Sequence, residues 1–463
     1  MKKEFIVIGI DDNREQWFAP EVREAIASHC VFSGGRRHHE IVKDTLPETH
    51  EWIDITVPID AVFKKYDDID ETIVVFASGD PLFFGFANTI KRMIPDAQIT
   101  LYPFFNSLQM LAHRRVLPYH DMKIVSLTGR PWQELDAALI RGEKKIGVLT
   151  DGTHTPSAIA SRMLHYGFSN FEMIVGENLG NRERERVLCL SLKEAVEREF
   201  ERPNCAIIIN EELRMKNEEY TVNESKINSS FFILHSSFGI PDHLFQGLEG
   251  RPKMITKAAI RVLTLAALDL QHRRSFWDIG FCTGSVSIEA RLMFPHLRVT
   301  AFEVRPEGRE LMETNAVRFH APGIQAFIAD FLEVDVSVLK DEEGHDIPMP
   351  DAIFIGGHGG RLQDVIEKAH ACLQEGGVMV YNCVDPASVT DERIRSDSEE
   401  IFNKTASQLG MEVLKPLNVT VDDYHPIKIL KARKSLTPDP SPKGEGSRMN
   451  LQLGESKRFR FSE

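Results

Sequence analysis

The chain has no apolar run near the roughly 20 residues that a bilayer-spanning helix needs, so no membrane segment is expected. Its opening, Lys2-Lys3-Glu4-Phe5-Ile6-Val7-Ile8-Gly9, has too short an apolar stretch for a secretory signal and reads as a first buried strand. A cytoplasmic location follows. No two of the six cysteines, Cys30, Cys189, Cys205, Cys282, Cys372 and Cys383, form a Cys-x-x-Cys pair. Neither a zinc site nor a disulfide framework is therefore indicated, no metal is expected, and most of these thiols read as small buried hydrophobes. There is no His-Glu-x-x-His segment and no Ser/His/Asp signature. The formal charge of −14 leaves no broad basic face, which argues against a nucleic-acid partner while allowing local basic pockets.

What is present is length and alternation. A chain of 463 residues exceeds one ordinary core and points to two or three domains. In the front half, strands are predicted at Phe5–Ile10, Thr72–Ala77, Gln98–Tyr102, Ile146–Thr150, Phe171–Gly176 and Ala206–Asn210. Helical stretches such as Ala19–Ser28, Ala87–Met93 and Pro156–His165 separate them. This pattern implies α/β layers on a largely parallel sheet. From Glu211 to about Ser230 apolar periodicity lapses, and a linker is placed at 213–230. Alternation then resumes in the order of a doubly wound nucleotide-binding domain. After Lys434 the Pro- and Gly-rich run predicts a disordered tail over 435–463. The division is thus 1–212, linker, 231–434 and tail, with no internal repeat.

In the second half, Phe276-Trp277-Asp278-Ile279-Gly280-Phe281-Cys282-Thr283-Gly284-Ser285 reads as a strand-to-helix turn. Its glycines permit close backbone approach to a ligand, and the helix start offers free N–H groups. Glu303, about 20 residues beyond, closes the next strand and suits ribose hydroxyls. Asp330 closes the strand after that and suits an exocyclic adenine amine. Ile355-Gly356-Gly357-His358-Gly359-Gly360 forms a fourth strand-end loop. Four such features at consecutive strand ends point to a nucleoside ligand, either a nicotinamide cofactor or S-adenosylmethionine.

The run Arg251-Pro252-Lys253-Met254-Ile255-Thr256-Lys257, the Asp278–Glu289 turn and Phe354-Ile355-Gly356-Gly357 together resemble the decarboxylating precorrin-6B C15-methyltransferase family. The similarity extends over about Gly239 to Asn382. It implies a Rossmann-like class I methyltransferase domain with S-adenosylmethionine held by Thr256, Asp278, Gly280, Thr283, Gly284, Glu303, Asp330, Gly356 and Gly357. One departure is Cys282, where methyltransferases commonly carry glycine.

In the first half, Val74 to Gly85 ends a β run in Ser78-Gly79-Asp80-Pro81, which forces a turn. Tyr102 to Gln109 enters a helix with Asn106 or Ser107 as N-cap. Strand-to-loop transitions follow at Val125–Pro131 and at Leu149–Pro156. With Ser33-Gly34-Gly35-Arg36-Arg37-His38 and Gly176–Gly180, these segments resemble the tetrapyrrole methylase superfamily, and within it the precorrin-7 C5-methyltransferase family. The resemblance implies two α/β subdomains with S-adenosylmethionine between them, at Gly79, Asp80, Phe83, Ser107 and Leu108. The superfamily's usual Gly-x-Gly-Pro is replaced here by Gly9-Ile10-Asp11-Asp12.

Taken together, the resemblances imply methylation of a precorrin or cobalt-precorrin at C5 and C15, with decarboxylation of the C12 acetate, in cobalamin biosynthesis. One S-adenosylmethionine is expected per domain, and homo-oligomerisation is expected. The absent acid–base signatures fit, because methyl transfer from a sulfonium depends mainly on alignment and exclusion of water. A polycarboxylate substrate calls for cations, for which Arg36, Arg37, Arg130 and Lys253 are the candidates. His358 or Lys257 is the candidate for assisting loss of CO2. The competing readings are an RNA methyltransferase, disfavoured by the charge, and a non-catalytic S-adenosylmethionine-binding protein.

Overall fold

The computed structural model describes residues 2–210, 239–251, 254–384, 398–421 and 426–435. The linker expected at 213–230 lies outside these residues, as does the tail beyond 435.

Three sheets organise the described residues. The first contains β1 (Glu4–Ile10), β2 (Val31–Gly34), β3 (Glu51–Asp54), β4 (Ile73–Ser78) and β5 (Gln98–Tyr102), in the order β3-β2-β4-β1-β5. All its pairings are parallel. The central strands are buried on both faces, which explains their unbroken apolar sequences.

The second sheet contains β6 (Lys123–Ser126), β7 (Lys145–Leu149), β8 (Phe171–Glu177), β9 (Arg186–Ser191) and β10 (Asn204–Asn210), ordered β6-β7-β10-β8-β9. Only β6 and β7 pair in parallel; β10 runs antiparallel to both neighbours, and β8 to β9. The expectation of a largely parallel front half therefore holds for one sheet and fails for the other. Residues 178–185 are too few for the crossover that a parallel β8–β9 pair requires.

The third sheet comprises β11 (Ser275–Ile279), β12 (Arg298–Glu303), β13 (Ile324–Ile328), β14 (Ala352–Ile355), β15 (Val378–Val384), β16 (Glu412–Val413), β17 (Leu417–Val419) and β18 (Ile427–Arg433). Its order is β13-β12-β11-β14-β15-β18-β16, with β17 also on β18. Five strands are parallel, and β18 closes antiparallel on β15. Alternate side chains face alternate layers. Trp277, Ile353 and Ile355 pack beneath helix Leu362–Cys372, whereas Phe276 and Phe354 pack against helix Ala258–Leu268. The chain thus forms a doubly wound layer beside the paired front sheets.

The halves meet at the amino ends of β12 and β13. Gln133 Nε2 donates to the His296 carbonyl at 2.8 Å, and His154 Nε2 meets Glu343 Oε1 at 2.5 Å. Nearby, Arg162 holds the fully buried Asp136 through two hydrogen bonds of 2.8 and 2.7 Å. Asp341, Glu343 and His345 also cluster here. Glu343 is committed to His154, and Asp341 Oδ1 accepts the backbone N–H groups of Glu343 and His345. Among the described residues no helix is long and apolar enough to cross a membrane. The cysteines divide: Cys205 and Cys383 are buried, as expected, but Cys30 and Cys189 are exposed.

Candidate functional site

The carboxyl ends of the first sheet and the facing edge of the second enclose a cavity of about 490 Å³. Gly79 ties its floor together. Its N–H donates to the Ile10 carbonyl at 2.8 Å, and its carbonyl accepts from Phe104 N–H at 3.3 Å. Its φ is +61°, and a Cβ there would lie 2.8 Å from Asn106 Cα. Only glycine fits this left-handed, crowded position. The N-cap of the next helix is Asn106, which exchanges hydrogen bonds with Gln109 in a reciprocal cap.

Gly79, Phe83 and Ser107 line the cavity, as do Arg37 and Arg130. Two candidates of the cofactor set do not present side chains there. Asp80 turns its Oδ1 back to the Leu82 N–H at 2.8 Å, and Leu108 is wholly buried in the core beneath. Arg36 also lies off the lining, 87% exposed and 4.0 Å from Asp54. Arg37 pairs with Asp12 at 2.8 Å, while Arg130 donates to Ser126 Oγ at 2.5 Å and packs over Phe84. The sequence reading did not select His38 and Ser78, which also line the cavity. Both sit in quoted motifs, but their proximity depends on the β2–β4 pairing that brings those motifs together.

The second cavity, about 380 Å³, opens at the carboxyl ends of β11, β14 and β15. It is therefore on the opposite side of the third sheet from the contact between the halves. Thr256, Lys257, Asp278, Gly280, Thr283 and Gly356 line it. Gly280 has φ +78°, and its Cβ would fall 2.5 Å from Gly357 N, so the two glycine loops touch backbone to backbone. Gly284 acts from behind, letting helix Ser285–Met293 start against Met312. Cys282 takes φ +52°, a conformation unusual for a residue with a side chain. Lys253 lies outside the described residues.

An adjoining hollow contains Glu303, Asp330, Gly357 and His358. Glu303 is almost fully buried and accepts from the N–H groups of Cys282 at 2.9 Å and Val304 at 2.9 Å, with the Arg305 guanidinium at 3.1 Å. Asp330 accepts from Leu332 N–H at 3.0 Å and pairs with Arg361; the backbone bond, with Arg361 adding to it, holds its carboxyl below the usual range. His358 Nδ1 accepts the Gly360 N–H at 3.2 Å, and its Nε2 lies 3.4 Å from the Tyr381 hydroxyl. Burial lowers the His358 pKa.

Three buried oxygens in the second cavity have no hydrogen-bond partner among the described residues: Asp278 Oδ1, Thr283 Oγ1 and Asn382 Oδ1. Asn382 escaped the sequence reading. Its Nδ2 donates to Thr264 Oγ1 at 2.8 Å, which turns its carbonyl away from that contact. Buried acceptors left unpaired are costly. A ligand bearing an ammonium and hydroxyls would satisfy them, and the methionine and ribose parts of S-adenosylmethionine carry both.

A doubly wound sheet with a glycine turn after its first strand and a buried acid closing its second defines the second half as a Rossmann-like methyltransferase domain. The first half, with paired α/β subdomains around one cleft, has the tetrapyrrole methylase architecture. Comparison with known proteins narrows the class. Residues 250–416 match the family described as a precorrin methyltransferase domain. A precorrin-6Y C(5,15)-methyltransferase (decarboxylating) from Sinorhizobium sp. is 30% identical over 383 residues, covering 82% of this chain and 84% of the relative. Two relatives from Salmonella typhimurium each match part of the chain. A cobalt-precorrin-6B C(15)-methyltransferase (decarboxylating) is 39% identical over 31% of this chain and 68% of its own length. A cobalt-precorrin-7 C(5)-methyltransferase is 27% identical over 44% of this chain and 98% of its own length. The chain belongs to the precorrin-6Y C(5,15)-methyltransferase (decarboxylating) family. It is a methyltransferase, and the RNA-methylating and non-catalytic readings find no support.

Proposed function

We propose that the front cleft methylates a precorrin or cobalt-precorrin at C5. In this reading, the rear cleft methylates C15 with loss of CO2 from the C12 acetate, and each cleft holds its own S-adenosylmethionine. The observation that carries this reading is the presence of two cavities in differently folded halves, in a chain matched in part by relatives named for each of the two methylations. The domain division at 1–212 and 231–434 belongs to the same proposal. So do a cytoplasmic location and a homo-oligomeric state, the latter checked by light scattering.

S-adenosylmethionine supplies an electrophilic methyl group on a sulfonium. In the rear cleft, Asp278, Thr283 and Asn382 orient the donor's amino-acid end, and Glu303 accepts from its ribose hydroxyls. Asp330 faces the adenine amine, and Gly280, Gly356 and Gly357 let the backbone close around the ligand. Thr256 and Lys257 border the same space, where a cation serves a substrate carboxylate. In the front cleft, Gly79, Phe83 and Ser107 shape the donor pocket, with Asp80 and Leu108 contributing backbone. Arg130 offers charge to the macrocycle, and Arg37, paired with Asp12, borders the same space. Loss of CO2 breaks a carbon–carbon bond, sends the electron pair into the conjugated ring and ends with a proton on carbon. His358, in its imidazolium form, would deliver that proton and be left neutral.

Mass spectrometry of the tetrapyrrole product tests the proposal. A gain of two methyl groups and loss of one CO2 from the purified chain is expected. A product carrying only one of the methyl groups would remove one half of the assignment.

A further inference from the structure

Two donors converge on one hydroxyl in the front cleft. Arg37 Nη2 donates to Ser78 Oγ at 2.9 Å, and His38 Nε2 lies 2.9 Å from the same oxygen. The direction of the second bond follows from the other ring nitrogen. His38 Nδ1 accepts the Gly35 N–H at 3.2 Å, so the ring proton sits on Nε2, 2.9 Å from Ser78 Oγ, while the Phe76 carbonyl also acts on the ring. Burial, aided by the adjacent Arg37 charge, holds His38 down at about 4, so the ring is neutral near pH 7.

A serine oxygen has two lone pairs and one hydrogen. With both lone pairs filled, Ser78 has only its O–H left to offer. No acceptor for that hydrogen is found among the described residues, and Ser78 lines the open cavity. The surroundings choose the charge of what it meets. Arg37 is neutralised by Asp12. Arg130, in the same cavity, has no carboxylate partner among the described residues and is held by Ser126 and Phe84. An uncompensated guanidinium and an obligate hydroxyl donor share one cleft, and together they fit an anionic oxygen.

We propose that Ser78 is a carboxylate-binding residue of the front cleft, forced into the donor role by Arg37 and His38, which act as positioning residues. This rests on the C5-methylating reading of that cleft. It also changes the part assigned to Arg37. Its guanidinium does not meet the ligand directly but fixes the hydroxyl that does. The carboxylate belongs either to a side arm of the macrocycle or to the amino-acid end of S-adenosylmethionine.

Ser78→Ala and Ser78→Thr distinguish these sources. For each variant, donor affinity is measured by calorimetry with S-adenosylhomocysteine on the full chain, and KM for the tetrapyrrole is measured in C5 methylation. Loss of a hydrogen bond to a charged group should weaken one of the two by roughly ten- to hundredfold in Ser78→Ala. Ser78→Thr, which keeps the hydroxyl, should recover most of it. A rise in KM with unchanged donor affinity assigns the carboxylate to the macrocycle, and the converse assigns it to the donor. His38→Phe should reproduce the Ser78→Ala defect, whereas His38→Gln, which keeps an N–H donor, should rescue it. Unchanged affinity and KM in folded Ser78→Ala overturn the proposal while C5 methylation by the parent chain stands. Absence of C5 methylation in the parent chain instead removes the function on which it rests.

Discussion

His154 and Glu343, 189 residues apart in sequence, are joined by a 2.5 Å hydrogen bond across the contact between the two halves of the chain. Both side chains are largely buried, and the same carboxylate accepts the Trp132 N–H at 3.3 Å. His154 is itself steadied by Asp151, whose Oδ1 lies 3.1 Å from Nδ1. Glu343→Ala leaves a buried imidazole and a backbone N–H without their acceptor, a loss of about 1–3 kcal/mol. The expected result in scanning calorimetry is a lower first transition, with the halves melting more independently. Glu343→Gln, which retains an acceptor, should lie between the variant and the parent. An unaltered thermogram for Glu343→Ala would mean that the contact contributes nothing to coupling.

The buried Asp278 makes stability depend on pH. An aspartate in the unfolded chain ionises near 3.9. Burial pushes Asp278 up to about 7, against the Ser287 hydrogen bond and with help from the Glu303 charge. Between those values the folded chain holds a proton that the unfolded chain has released. This group therefore makes stability fall as pH rises from about 4 to 7, with no further loss above that range. Asp278→Asn, still able to accept from Ser287, should flatten that fall, for a gain on the order of a few kcal/mol at pH 8. It should also weaken donor binding in the rear cleft. Parallel Tm–pH curves for parent and variant would contradict the buried-carboxyl account.

Glu303 tests the number of donors bound. Its carboxylate is held by the Cys282 and Val304 N–H groups and by Arg305, so it is aimed before any ligand arrives. Glu303→Gln keeps the shape and removes the charge that ribose hydroxyls would meet. Calorimetry with S-adenosylhomocysteine should show two sites in the parent chain. In the variant, one site should be weakened by about ten- to hundredfold and the other untouched. Equal weakening at both sites, or a single site in the parent, would refute one donor per cleft.

The layout of these clefts was readable where local chemistry dictates backbone shape. Gly79, Gly280 and Gly356 end strands in turns that a side chain would block, and such turns announce themselves in sequence. Val31–Gly34 does not read as a strand, because Ser33 and Gly34 interrupt its apolar pattern. The structure satisfies Ser33 with the Ile53 carbonyl at 2.7 Å and the Tyr66 hydroxyl at 2.6 Å, bonds that close only once distant segments pack. The β9 strand is illegible for a different reason: it is a half-exposed edge with one buried residue, Leu190. Asn382 and Ser78 gain meaning from neighbours 118 and 40 residues away, Thr264 and His38. Arg36 and Arg37 look equivalent in sequence, yet a helix start turns one to solvent and the other to Asp12 and Ser78.

Decarboxylation places a specific demand on the rear cleft, since the carbon that loses CO2 must gain a proton. The Gly360 N–H on His358 Nδ1 leaves the proton of the neutral ring on Nε2, beside Tyr381, and the proposed role for His358 is to deliver the proton. Burial lowers its pKa, so the ring is mostly neutral at pH 7 and would deliver a proton only from its imidazolium form, recharged from solvent after each turnover. Lys257 instead lies 3.7 Å from Asp242 at a helix start, a setting that favours electrostatic guidance over proton transfer. His358→Ala should therefore slow formation of the decarboxylated product by about 10²–10⁴-fold. Methyl transfer to C15 should stay within a few-fold of the parent, and Tyr381→Phe should show a smaller loss in the same direction. The check is to follow labelled CO2 and labelled methyl incorporation in one reaction. Equal rates of both in His358→Ala and the parent would reduce the histidine to part of the cleft wall, and the proton would then have to come from solvent.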